Sequence, residues 1–215
     1  MENRKYPKTF GRLRGKKRKS VIDNYKYLLN DLLFNQNIIK KEIILEIGSG
    51  NGENVIKLSK TFPRKFIVAC EVYIDGNISL AKKINKENIK NIKIYNNSCF
   101  YFFEIIPNYS IDQVWILYPD PWPKKKHYKR KLISKIFLEI LNNKVRKNGL
   151  VYIATDDKKY FLDILIKFYK LNSFTWINDK PYLWSLPFKN MSKTSFFNKA
   201  QQKGQKSNFM IFKKN

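Results

Sequence analysis

Between residues 42 and 170 the chain alternates short unbroken apolar runs with longer stretches in which apolar residues recur every three or four positions. Runs such as Ile43-Ile44-Leu45 and Phe66-Ile67-Val68-Ala69-Cys70 lack the polar alternation of a half-exposed strand, so they predict strands covered on both faces. Strands are expected at residues 43–47, 66–70, 92–95, 113–117 and 150–154, and helices near residues 53–60, 77–85, 99–106, 130–144 and 158–170. Five such strand–helix units predict a parallel sheet with helices on both faces. Ahead of them, residues 21–34 read as a helix with Ser20 as N-cap and Ile22, Tyr25, Leu28, Leu29, Leu32 and Leu33 on one face. Behind them, residues 175–177 and 209–212 read as short strands forming an antiparallel edge, with a short helix near residues 197–202. The predicted fold class is a doubly wound α/β domain over residues 21–215, its mostly parallel sheet seven strands wide. Residues 1–20 stand apart as a basic arm, disordered on its own and ordering on a polyanion.

The first apolar run ends in E-I-G-S-G-N-G-E, with Gly48, Gly50 and Gly52 in alternation and Val55, Ile56 and Leu58 following at helical spacing. A glycine turn opening a helix at the carboxyl end of a strand is where doubly wound sheets bind nucleotide-like ligands. Dinucleotide turns read G-x-G-x-x-G and aim the helix N-terminus at a pyrophosphate. Here the spacing is G-x-G-x-G, and Glu46 would repel a pyrophosphate. It attracts a cation instead, and S-adenosylmethionine carries an ammonium and a sulfonium. Glu71, at the end of the second run, is placed to accept from a ribose. The competing reading is a tight turn with no ligand, and an NAD-dependent dehydrogenase is a more distant one.

The ends of the remaining strands are polar too: Asn96-Asn97-Ser98, then Tyr118-Pro119-Asp120-Pro121-Trp122-Pro123-Lys124, then Thr155-Asp156-Asp157. Three prolines fix the backbone around Asp120, so the loop reads as a site scaffold set before any substrate arrives. It is similar to the D-P-P-Y loop of amino-group methyltransferases, in a different order. Lys124 to Lys131 follows directly, cationic and interleaved with His127 and Tyr128. Such clustering beside a site points to nucleic acid, with Lys124, His127 and Arg130 as contacts.

Bulk composition agrees: 43 Lys+Arg against 17 Asp+Glu give a net charge of +26, which fits a polyanionic partner. Enrichment in Lys, Asn and Ile, a compositional drift, inflates that total without explaining the cluster. Cys70 and Cys99 sit in apolar surroundings at no metal-ligand spacing, and one histidine argues against zinc, so reduced thiols, no metal and a cytoplasmic setting are expected. The sequence has no apolar stretch of about 18 residues, so no membrane span is expected.

Taken together, E-I-G-S-G-N-G-E, E-V-Y-x-x-G from Glu71, Y-P-D-P-W-P-K-K-K-H-x-K-R from Tyr118, T-D at Thr155-Asp156, T-x-F at Thr194 to Phe196 and the basic F-G-R-x-R-G arm resemble the bacterial tRNA (guanine-N7-)-methyltransferases. The resemblance implies a class I methyltransferase, Rossmann-like fold that uses S-adenosylmethionine to methylate N7 of guanine 46 in tRNA. It implies cofactor contacts at Glu46, Glu71, Asn97, Ser98 and Asp120, beside the three glycines of the turn; Asp120 is also the expected catalytic residue, as a carboxylate beside the ring that turns cationic. It implies substrate contacts at Lys124, Asp156, Thr194, Ser195, Phe196 and Phe197, to which the cationic cluster adds His127 and Arg130; a monomer or weak homodimer is expected. Two positions depart from the family pattern: Asn97-Ser98 replaces an acidic residue, and Phe197 replaces a glutamate. An amino-group methyltransferase and a non-catalytic RNA-binding protein on the same fold are the alternatives.

Overall fold

The computed structural model describes residues 6, 25, 27–35, 42–202 and 204–215, without the Phe196 side chain. Seven strands form one sheet: β1 (Ile43–Ile47), β2 (Phe66–Cys70), β3 (Ile92–Tyr95), β4 (Ile111–Leu117), β5 (Val145–Thr155), β6 (Phe174–Trp176) and β7 (Asn208–Lys214). Their order is β3-β2-β1-β4-β5-β7-β6. The first five are parallel, and β7 runs antiparallel to both β5 and β6. The helices are α1 (Glu53–Thr61), α2 (Ile74–Lys86), α3 (Cys99–Ile105), α4 (Lys135–Lys144), α5 (Lys158–Leu171), α6 (Pro181–Trp184) and α7 (Ser195–Gln202).

Successive strand residues point to opposite faces, so the sheet feeds two cores. Leu45, Val68, Val114 and Val151 face Phe102 and Phe103 of α3, Phe137 of α4 and Ile164 of α5. Ile44, Ile67 and Trp115 face Val55 and Leu58 of α1 and Leu80 and Ile84 of α2. Phe188, Phe197 and Phe209 join this second core, which draws the segment between β6 and β7 over the same face as α1. Parallel register does the rest. Ile47 pairs with Cys70 and Ile116, and Leu117 pairs with Ala154, so residues following β1, β2, β4 and β5 emerge on one rim.

Some expected boundaries move. Helical residues before the sheet end at Leu29, and Leu33 bridges to Ile94 at the edge of β3; the rest of the expected helix from residue 21, and the arm save Tyr6, lie outside the described residues. The Tyr6 ring stacks on Phe100 at 4.9 Å and its hydroxyl donates to Glu104 Oε1. The helix expected over residues 130–144 starts only at Lys135, because Ser134 Oγ accepts from Phe137 N–H and caps it there. Residues 125–130 instead form a short 3₁₀ turn. β5 begins at Val145, earlier than its apolar run, because Val145 pairs with Ile111.

Candidate active site

The glycine turn is shaped by close approach. Gly48, Gly50 and Gly52 have φ of +74°, +52° and +76°, the left-handed region in which glycine alone is unstrained. Gly76, in the first turn of α2, lies so close that a Cβ there would sit 2.5 Å from the Gly50 carbonyl oxygen. Glu71 braces the same turn, its Oε2 accepting from Gly50 N–H at 2.9 Å and its Oε1 from Tyr73 N–H at 2.8 Å. Each oxygen retains a second lone pair for a hydroxyl donor.

Glu46 is 2% exposed, and Asn54 Nδ2 donates to its Oε2 at 3.0 Å. Burial pushes the carboxyl up to about 8; the Asn54 amide pulls it down, and the Glu53 and Glu71 carboxylates add to the rise. Among the described residues Glu46, Glu71, Asp120 and Asp156 form no ion pair. The opposite rim differs, since Glu42 and Asp112 there are held by Lys65 and Arg146.

After β3 the two candidate residues divide their work. Ser98 is buried and caps α3, its Oγ accepting from Phe100 N–H at 3.4 Å, whereas Asn97 is exposed on the rim and spends its Oδ1 on Ser98 N–H. The amide of Asn97 keeps its donors. Nearby, the Cys70 thiol donates to the Asn97 carbonyl; both cysteines are buried, and burial raises both thiols.

Asp120 is exposed in a loop held by two left-handed residues, Tyr118 (φ +55°) and Trp122 (φ +41°). Each costs on the order of 1–3 kcal/mol and persists only where the surroundings enforce it, a feature that clusters at functional sites. Tyr118 N–H donates to the Ala154 carbonyl and its hydroxyl to Ser207 Oγ. Trp122 is packed between His127, edge-to-face at 5.6 Å, and the Arg130 guanidinium at 5.0 Å. His127 thus stands inside a cationic cluster; partial desolvation, then Arg130, Lys126 and Lys124, lower its pKa. Its Nδ1 has no hydrogen-bond partner among the described residues.

After β5, Asp157 is committed to α5, its Oδ1 accepting from Tyr160 N–H at 2.7 Å, which leaves Asp156 half-exposed on the rim. The C-terminal candidates separate similarly. Thr194 Oγ1 accepts from Phe197 N–H and caps α7, and Ser195 N–H donates to Glu53 Oε2 at 3.2 Å. Phe197 is buried against Phe209, so it belongs to the core and not to a substrate surface. Its apolar type was the available signal.

An apolar cavity of about 330 Å³ beside Leu165, Phe168, Trp176 and Phe212 lies at the β6 edge and holds no carboxylate. Among the described residues there is no group of three His, Cys, Asp or Glu side chains that could hold a metal ion, and no helix long and apolar enough to cross a membrane.

A family described as putative methyltransferase matches residues 40–210. The tRNA (guanine-N(7)-)-methyltransferase of Rhizobium johnstonii is 32% identical over 170 residues, 79% of this chain and 73% of that protein. The chain belongs to the tRNA (guanine-N7-)-methyltransferase family. A bifunctional methyltransferase of Rickettsia typhi is 33% identical over 211 residues, 97% of this chain, so this family member spans about 40% of the length of that relative. Among solved structures, a methyltransferase of Streptococcus mutans in complex with SAH aligns with TM-score 0.53 at 16% identity, covering 94% of this chain and all of that one. An rRNA methylase from Streptococcus thermophilus aligns with TM-score 0.52 at 13% identity, covering 93% of this chain and 99% of that one. Both support the class I methyltransferase fold of the family.

Proposed function

We propose that this protein methylates N7 of a guanine in tRNA, the guanine at position 46, with S-adenosylmethionine as methyl donor, and works in the cytoplasm. The observation that carries the reading is the pairing, on one rim, of the Glu46 and Glu71 carboxylates at a glycine turn with a strained Asp120 loop that leads straight into a cationic strip. Family membership supports the same reading.

The donor supplies, when bound, an electrophilic methyl carbon on a sulfonium. Guanine N7 presents a free lone pair, so no general base is required. The residues of the chain therefore align and place charge, and alignment alone contributes up to ~7–11 kcal/mol in favourable systems. Glu46 faces the donor's cationic end, Glu71 its ribose and Asn97 its base. Asp120 sets negative charge on the acceptor side, where the purine ring becomes cationic as it takes the methyl group. Asp156 accepts from the guanine N1–H and 2-amino edge. Lys124 and Arg130 meet phosphates, while His127, with its lowered pKa, suits a base contact better than a phosphate. Thr194, Ser195 and Phe196 complete the acceptor side.

The test incubates the purified chain with labelled S-adenosylmethionine and unmodified tRNA, followed by nucleoside mass spectrometry and mapping. We expect 7-methylguanosine at position 46, and a loss of about 10²–10³-fold in rate for Asp120→Ala with binding of S-adenosylhomocysteine to a folded protein retained. Methylation of an exocyclic amine, or an Asp120→Ala enzyme of full activity, overturns the assignment.

A further inference from the structure

The first turn of α1 holds two consecutive side chains that reach across 138 and 142 residues of sequence. Asn54 is 1% exposed and uses both ends of its amide: Nδ2 donates to Glu46 Oε2 at 3.0 Å, and Oδ1 accepts from Ser192 N–H at 2.9 Å. Glu53 Oε2 accepts from Ser195 N–H, the first residue of α7. The segment thus stitched down carries Thr194, Ser195 and Phe196. A carboxylate at a helix N-terminus is favoured electrostatically, so the Glu53 stitch also sets α7 in place. Asn54 is the one described side chain that bonds both to the Glu46 carboxylate of the glycine turn and to the backbone of this segment.

From this geometry we infer that Asn54 is a positioning residue that couples the donor site to the acceptor site. The inference rests on the functional reading above. Ionised Glu46, engaged by the donor's cation, orients the Asn54 amide; the oriented amide holds Ser192, and with it the acceptor segment, in the docked position. An amide cannot rotate to satisfy one partner without turning its other end away from the second, because its donor and acceptor are fixed on one plane. Donor binding therefore favours the docked segment, and by linkage the docked segment favours donor binding to the same extent.

The experiment measures the affinity of full-length protein for unmodified tRNA with and without saturating S-adenosylhomocysteine, and takes the ratio. In the parent protein we expect the product to tighten tRNA binding by about fivefold or more. Asn54→Asp keeps an acceptor for Ser192 N–H but replaces the amide donor with a second carboxyl against Glu46, which shares the proton there and no longer fixes the segment to the ionised form, so the ratio falls to about one. Asn54→Ala loses both bonds, so its ratio also falls to about one and its basal tRNA affinity drops as well. Glu53→Ala loosens the segment and weakens tRNA binding, yet its ratio stays above one, because the Asn54 bonds to Glu46 and Ser192 remain. Asn54→Ser, smaller and uncharged, reads the same ratio should the alanine or aspartate variant fail to fold. A parent ratio of one, or Asn54 variants that retain the parent ratio, overturns the inference while leaving the methyltransferase reading intact. A parent protein that binds neither probe overturns that reading, and this inference with it.

Discussion

Glu46 shows how one residue can be visible in a sequence while its chemistry is not. Its place before the glycines marks it as a cation-seeking carboxylate, but its protonation depends on burial and on Glu53 and Glu71, which only the folded chain brings close. With its pKa raised from 4.5 to about 8, the unliganded protein holds a proton there at neutral pH. A cationic donor requires the ionised form, so donor affinity should rise with pH through about 8 and level off above it. Glu46→Gln should bind the donor weakly and without that pH dependence, as titration calorimetry from pH 6 to 9 would register; a parallel pH profile in the variant would contradict the assignment. Stability moves the other way. A raised folded-state pKa contributes stability below the unfolded value, and that contribution disappears as pH climbs to about 8, an effect on the order of a few kcal/mol. Family position, and not residue type, prompted the expectations at Ser98 and Phe197, whose side chains serve a helix cap and the core.

At the scale of elements, β1 and β2 match their expected bounds residue for residue because a strand buried on both faces announces itself, and β3, at the sheet edge, does so through the alternation of Ile92 and Ile94 with Lys93 and Tyr95. The stretch after Asp120 was less legible. Leu132 and Ile133 continue the apolar spacing of α4 backwards, and nothing local outweighs them except Ser134, whose cap ends the helix there. Packing between elements was hidden altogether, and Gly76 is the clearest case. Gly76→Ala gains about 1 kcal/mol of helix propensity, yet its methyl group meets the Gly50 carbonyl, and such overpacking costs about 1–3 kcal/mol. The clash should prevail. We expect a Tm lower by about 2–6 °C and weaker binding of S-adenosylhomocysteine, since Gly50 must shift. Unchanged melting and affinity would show that α2 does not press on the turn.

Across the whole molecule the excess of 26 positive charges names the class of partner but not the face it meets. Parallel register gathers the Asp120 loop, the cationic turn and the glycine turn on one rim, while Glu42 and Asp112 on the opposite rim are paired with Lys65 and Arg146, which makes the first rim the face we propose for the partner. Replacing the exposed Lys124, Lys126 and Lys129 with glutamine should weaken tRNA binding and flatten its dependence on the logarithm of salt concentration by about 2–3 in slope. A slope equal to that of the parent would place the phosphates elsewhere.

β6 and β7 are hydrogen-bonded neighbours, yet residues 177–207 run between them. Lengthening such an excursion is cheap, about 0.6 kcal/mol for each doubling, provided its two ends stay zipped. Extra residues are therefore tolerated at the exposed positions of this excursion, whereas Phe188, Phe197 and the backbone of Ser192 and Ser195, which tie it to the core and to α1, have to stay.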